Sequence, residues 1–326
     1  MPARRTTRRR APVPPLRDGL NPTRVVLPPL DVLRGLATEG TPDPATVLDY
    51  LVGRFPDDAA RVAQKVVEGE VLDAWLQPVT ASTPYRPGAT VFVHRDPPAD
   101  EPHVPFEVDV LHRDDDLLVV DKPHFLSTIP RGAWVVQSVL VRLRRDLDLP
   151  ELVPAHRLDR ATAGVLVLTV RPEARGPYQT LFAQRRVRKE YAAVARFDPD
   201  LALPATVRSR IVKERGVPRA FEVDGEPNAE SLVEIETAGH DLAGYRLRPR
   251  TGKTHQLRLH MQRLGVPILG DDFYPELRRR ALDDFTDPLQ LLARSIEFDD
   301  PLTGAPRRFE SRRTLERWPG VRQSQA

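Results

Sequence analysis

The chain has 326 residues, of which 40% are hydrophobic and 29% charged, a formal net charge of +3 and no cysteine. That length accommodates two domains or one large core. No run approaches the roughly 18 apolar residues of a membrane span and no apolar signal core follows Met1, so a cytoplasmic chain is expected, and without cysteine, disulfides, thiolate zinc sites and cysteine nucleophiles are excluded.

All but five of the 49 basic residues are arginine. Their distribution says more than the total: residues 1–24 carry a net +6, residues 307–326 a net +4, and the remainder is acidic at −7. A polyanion therefore meets basic ends first, and any basic face on the body of the chain has to be built locally.

Residues 1–45 read as a disordered, extended basic arm. Arg4, Arg5, Arg8, Arg9 and Arg10 precede six prolines between 12 and 29, with little apolar periodicity, a composition that either touches RNA or keeps a chain soluble. Residues 46–95 read as a small α+β module. Val47, Leu48, Leu51 and Phe55 form one helix face, Val62, Val66 and Val67 a second, and short strands are expected at 70–72 and 90–93. Two helices followed by a small hairpin resemble the alpha-L RNA-binding module first known from a ribosomal protein, although the second helix offers only Arg61 and Lys65 as basic contacts. Four prolines mark 96–105 as a linker.

A large domain follows over 106–318, with 319–326 as a tail. Phe106–Val110 alternates like a half-buried strand, and Asp116–Val120 leads into a fuller apolar run that Pro123 ends. A helix is expected from 135 to 145, a strand at 165–169, a helix from Pro172 to Ala183 and a strand at 191–195. Further strands are expected at 206–212, 231–236 and 244–248, and a helix at 253–263. The order mixes strands and helices without regular βαβ alternation, which predicts an α+β fold on a mixed, largely antiparallel sheet.

The stretch His156-Arg157-Leu158-Asp159-Arg160-Ala161-Thr162-Ala163-Gly164, with Val165–Leu168 behind it, sets one carboxylate between two arginines on a loop feeding a buried strand. A carboxylate held among cations stays ionised and can attack as a nucleophile or take up a proton. The plainer reading is a surface ion pair at a turn. Three more patches lie in the same domain. Arg188-Lys189-Glu190-Tyr191 places an aromatic ring at the start of a strand; residues 246–263 hold six basic residues and no acid, which reads as a positive face; Gly270-Asp271-Asp272-Phe273-Tyr274 is a turn backed by aromatics. His255 and His260 lack acidic partners at ligand spacing, so no metal site is expected. Thr251-Gly252-Lys253-Thr254 lacks the first glycine of a phosphate loop.

Together these patches resemble the RluA-type family of RNA pseudouridine synthases over about residues 106–300. His156–Gly164 is similar to the family's catalytic signature, with Ala163 where serine is common. Lys189-Glu190-Tyr191 is similar to its active-site tyrosine segment, Arg250–Met261 with Gly265–Asp271 to its third signature, and Leu117–Pro123 to its first strand. The loop His124–Gly132, and Arg294 where a histidine is common, depart from the pattern and bear on the substrate rather than the reaction.

The resemblance implies isomerisation of uridine to pseudouridine within structured RNA, rRNA or tRNA, by a monomer that uses no cofactor. It implies Asp159 as the nucleophile, Tyr191 stacked on the target base and Arg258 paired with Asp159. Extracting a base from its stack costs a few kcal/mol; Arg157 is implied to fill the gap with its flat guanidinium, while Arg160, Lys253 and His255 hold the RNA. Two other classes stay open. A non-catalytic RNA-binding protein or chaperone predicts binding without a modified base, and a nucleoside glycosidase wants two carboxylates about 5–9 Å apart where the signature loop has one.

Overall fold

Thr46 opens the first well-formed helix of the chain with a reciprocal cap: its hydroxyl accepts the Asp49 N–H while the Asp49 carboxylate accepts the N–H of Thr46. The computed structural model describes residues 12–36 and 41–320, and the chain divides between Pro97 and Pro98 into two compact units.

The smaller unit contains β1 (Thr23–Val26), α1 (Leu30–Leu36), α2 (Val47–Arg54), α3 (Ala59–Val67), β2 (Leu72–Asp73) and β3 (Thr90–Val93). β3 lies between β1 and β2, antiparallel to both. Its core joins Val47, Leu51, Val62 and Val66 to Val25, Leu27, Val91 and Val93. Two expectations change here. The described part of the arm is not a disordered tail: two helices and a hairpin leave one side of β3 open, and β1 fills it while Val25 and Leu27 complete the core. Residues 1–11 and 37–40 of that arm lie outside the described residues. Val67 is exposed, because Val62 and Val66, four apart, already define the buried stripe.

The larger unit contains β4 (Asp109–Arg113), β5 (Leu117–Lys122), α4 (Val139–Asp146), β6 (Val153–Pro154), β7 (Ala163–Thr169), α5 (Pro172–Ala183), β8 (Arg188–Arg196) and β9 (Ala205–Val212). There follow β10 (Phe221–Val223), β11 (Ala229–Ala238), β12 (Leu242–Pro249), α6 (Gln256–Arg263), β13 (Leu291–Asp299) and β14 (Pro306–Glu310). Eleven strands form one sheet in the order β10-β9-β11-β12-β8-β13-β7-β5-β4, with β14 added to β13 and β6 to β7. Among the described pairings only β13 with β7 is parallel, so the fold is the mixed, largely antiparallel α+β expected. No helix among the described residues is long and apolar enough to cross a membrane.

From Pro98 on, the segment expected as a linker belongs to this unit. Glu101 accepts the backbone N–H groups of Val135, Val136 and Gln137, Val104 is fully buried, and the Val104 carbonyl accepts from Arg142. Since Glu101 occupies those N–H groups, α4 starts later than expected, behind Ser138, whose hydroxyl accepts from Val141. Phe106 leaves strand geometry to pack its ring on Phe125 and Phe285, and the first strand begins at Asp109. α6 begins at Gln256 rather than 253 because His255 has a left-handed backbone, φ 56°.

Two hydrophobic clusters meet near the centre of the sheet. One gathers Leu118, Val120, Phe125, Trp134, Leu158 and Leu166; the other gathers Ala193, Val233, Tyr245, Leu247, Leu257 and Met261. Tyr191 packs against both.

Candidate active site

The loop 156–162 lies on the seam between the two clusters, Leu158 belonging to one and Ala161 packing on the other. It ends at Gly164, which has φ +112° and pairs with Ala293 across the one parallel strand contact. A Cβ at Gly164 would collide with the Ala293 carbonyl, so the loop enters β7 only through a glycine.

Backbone clamps hold the loop. Thr128 donates its hydroxyl to the Leu158 carbonyl at 2.8 Å and accepts the Leu158 N–H at 3.1 Å. The Lys122 ammonium, fully buried, donates to the carbonyls of Pro123 (2.9 Å), Leu126 (2.8 Å) and Arg160 (3.2 Å). His124 donates from Nδ1 to the Ala161 carbonyl at 2.7 Å. At the start of the loop His156 stacks on Phe182 and accepts the Val167 N–H at Nε2. Burial pushes His124 down to about 4 and His156 to about 3, so both rings are neutral at physiological pH. Burial likewise lowers Lys122 well below the ordinary lysine value, partly opposed by the charge of Asp159. Lys122, His124 and Thr128 were not expected as site residues. The signal available was a lysine in an otherwise apolar strand, which only a ring of carbonyl acceptors can make tolerable.

Asp159 is left open by this scaffold. Its side chain is 35% exposed, and its nearest cationic or imidazole nitrogen is His255 Nε2 at 4.0 Å. Neither Arg157 nor Arg160 pairs with it among the described residues, so the plain surface ion pair does not form. Tyr191 starts its side chain from β8 between Leu247 of β12 and Ala293 of β13. Burial, and then the Asp159 charge, push its phenol above the ordinary tyrosine value.

Arg258 does not pair with Asp159. Its guanidinium forms a two-point clamp on Asp271, Nε to Oδ2 at 2.7 Å and Nη2 to Oδ1 at 2.5 Å, with side chains only 4% and 1% exposed. Asp271, thirteen residues on, lies on a turn that brings it over α6, and the fork geometry favours that carboxylate. Burial alone would lower the Arg258 pKa; the Asp271 bond and charge, with a smaller contribution from Asp159, raise it.

The remaining expected residues divide. Arg157 is exposed and makes no side-chain hydrogen bond or ion pair among the described residues; Lys253 is exposed as well. Arg160 lies with its guanidinium 4.0 Å from the centre of the Trp134 ring, near Phe125, and burial followed by Arg280 pushes it down to about 10. Its Nε and Nη2 have no hydrogen-bond partner among the described residues. His255 is buried, with Nδ1 3.0 Å from the Tyr274 hydroxyl and burial lowering it to about 4; it faces Asp159 and not an outer surface. The positive face expected over 246–263 is cancelled along β12 and just past it: Arg246 meets Glu236 at 3.1 Å, Arg248 meets Glu234 at 2.8 Å and Glu190 at 3.2 Å, and Arg250, one residue beyond the strand, meets Glu230 at 3.1 Å. Those acids come from neighbouring strands, out of sight of the sequence window.

The arrangement presents one carboxylate on a rigid loop, an aromatic ring beside it and a free guanidinium two residues away. The profile of a family described as RNA pseudouridylate synthase matches residues 116–263. An uncharacterized RNA pseudouridine synthase of Synechocystis is 31% identical over 233 residues, covering 70% of this chain and 79% of the relative. The dual-specificity RNA pseudouridine synthase RluA of Escherichia coli K12 is 35% identical over 185 residues, 53% of this chain and 80% of its own. Among solved structures, human RNA pseudouridylate synthase domain containing 1 superposes with a TM-score of 0.50 at 23% identity, covering 65% of this chain and 86% of that one, a likeness of fold.

Proposed function

The chain belongs to the RluA-type family of RNA pseudouridine synthases, and from that premise we propose how its own residues isomerise uridine in a structured RNA, rRNA or tRNA. In the reaction the bond from ribose C1′ to uracil N1 breaks, the base turns, C1′ joins C5, and the proton lost from C5 is matched by one gained at N1. Substrate and product are isomers, so no electrons or atoms are needed from elsewhere.

Asp159 is the carboxylate that reacts. The observation carrying this reading is that it is the one carboxylate of the loop and is open to an incoming group, while Thr128, Lys122 and His124 fix the backbone on either side of it. Preorganisation of that kind replaces the cost of aligning the reacting groups. Tyr191, wedged between the two cores, supplies the face on which the flipped base stacks. Arg157, exposed and uncommitted, fills the vacated stack. Lys253, also exposed, is the phosphate contact on the α6 side. Arg160 takes part by stacking on Trp134, its Nε and Nη2 being buried and without a hydrogen-bond partner among the described residues.

The small unit is an alpha-L-like module by its two helices and hairpin. RNA contact through its second helix is disfavoured, since Lys65 pairs with Glu70 and Asp96, and Arg61 with Glu68 and Asp96. The reading keeps the enzyme a monomer, and an RNA substrate with a cysteine-free chain fits the cytoplasm.

The test is Asp159→Asn, which keeps size and removes charge. Pseudouridine formation in a hairpin RNA is expected to fall by more than about 1,000-fold with RNA affinity within about twofold of wild type. Activity within about tenfold of wild type removes Asp159 from the mechanism.

A further inference from the structure

Consecutive residues of β5 serve opposite faces of the sheet. Leu118 and Val120 pack with the loop residue Leu158 on one face, and Leu117 and Val119 pack with Tyr178 and Phe298 on the other. Alternation therefore sends Lys122 towards the Asp159 loop, where it holds the Arg160 carbonyl, and Asp121 to the back. Asp121 is as fully buried as Lys122, and its partners lie 190 residues on: it accepts the Ser311 hydroxyl at both oxygens, at 2.8 and 2.9 Å, and the Arg312 N–H at 2.7 Å. Arg313 donates to the Asp121 carbonyl at 3.1 Å and to the Asp109 carboxylate of β4 at 2.7 Å.

From that pin, residues 311–318 cross the back of the sheet without forming a helix or strand. Leu315 is buried against Ala163, Ala192, Val194 and Leu292. Leu292 and Ala163 are themselves a pair of the parallel contact through which the Asp159 loop enters β7. Arg317 donates its N–H to the buried Gln290 at 3.1 Å, and Trp318 lies so close to β12 that a Cβ at Gly244 would strike its ring. Asp121 and Lys122 pair with Val165 and Gly164 of β7, so the pin backs the same strand end that the lysine steadies from the front. Removing the acceptor leaves buried donors unsatisfied, the segment shifts to resolve them, and a close-packed interior transmits the shift.

We propose that Asp121 is a positioning residue for the reaction: by pinning residues 311–318 behind β5, β7 and β13, it fixes the strand ends from which the Asp159 loop is hung. The role presupposes Asp159 as the reacting carboxylate. With the pin released, the ends of β5 and β7 relax together and carry the Lys122 ammonium and the Arg160 carbonyl with them. Asp159 then loses its alignment with the uracil, while the exposed side chains that meet the RNA are unchanged.

The experiment compares wild type, Asp159→Asn, Asp121→Leu, Ser311→Ala and Ser311→Thr in the whole chain, with kcat and KM on one hairpin RNA, RNA affinity by filter binding, and a thermal melt to establish that each is folded. Asp121→Leu keeps the size and removes both acceptors. It is expected to lower kcat on the order of 100-fold, the scale of an ångström of misplacement, with KM and RNA affinity within about twofold. Ser311→Ala is expected to lower kcat about tenfold, the scale of one hydrogen bond, and Ser311→Thr, which keeps the hydroxyl, to restore it to within about threefold of wild type. The Ser311 pair decides the matter should Asp121→Leu not fold. A folded Asp121→Leu, or failing that Ser311→Ala, with kcat within about threefold of wild type overturns the proposal. So does a loss of kcat that only follows a loss of RNA affinity or of folded protein, or one that threonine at 311 does not reverse. An active Asp159→Asn sinks the underlying reading instead, whereas an inactive Asp159→Asn beside a normal Asp121→Leu sinks the positioning role alone.

Discussion

Arg157 and Arg160 on the loop before β7, and Arg246 and Arg248 on β12 with Arg250 just past its end, are drawn from the same arginine-rich composition, yet the structure treats them oppositely. On β12 each guanidinium meets a glutamate from β11 or β8, and Arg294 of β13 joins the lattice through Glu236 at 2.7 Å. On the loop, neither arginine has a carboxylate partner among the described residues; Arg160 has aromatic rings and Arg157 has solvent. A strand inside a sheet is always offered side chains from two neighbours, so its charges can be answered across the strands. A loop fixed through its backbone leaves its side chains unanswered, and these are the cations available to an RNA.

Acidification separates the two regions most. The loop and its surroundings depend on neutral buried histidines: His124, His255 and His260 are held at about 4 and His156 at about 3, against 6.5 for a free histidine. Each has a folded pKa below its unfolded one, so below pH 6.5 the unfolded chain binds more protons and stability falls as pH falls. The contribution is fully present above pH 6.5 and drains away towards pH 4, at up to about 1.4 kcal/mol per pH unit for each histidine. Urea unfolding of the large unit at neutral pH and near pH 5 measures it; a flat profile across that window contradicts neutral histidines as the loop's anchors.

A smaller effect is expected at Arg157. Arg157→Lys keeps the charge and loses the plane, so modification of a stacked hairpin is expected to fall roughly tenfold more than that of an unstructured oligonucleotide, part of the few kcal/mol that unstacking costs. Equal losses on both substrates assign Arg157 to loop support. The smallest change is expected on the lattice. Arg248→Gln removes a partly exposed pair and is expected to cost about 0.2–1 kcal/mol of stability, with RNA affinity and its salt dependence unchanged. A reduced salt slope indicates that Arg248 meets phosphate after all.

Residues close in sequence determined a good deal by themselves. Pro172–Ala183 matches its helix at both ends, because proline at the first helical position and the apolar spacing are both local signals. The loop around Asp159 and the mixed α+β order were likewise readable from short stretches, whereas the strand carrying Tyr191 begins at Arg188, three residues earlier than expected. Val25 and Leu27 were not, since their burial depends on β3, more than sixty residues later. Tertiary structure alone also decided which carboxylate Arg258 grips, which carbonyls the Lys122 ammonium faces, and that the cations of β12 are neutralised. The physical reason is common to all of these. A periodic apolar pattern or a turn residue acts on its own neighbours, whereas a buried charge is settled by whichever opposite group the fold carries to within about 3 Å.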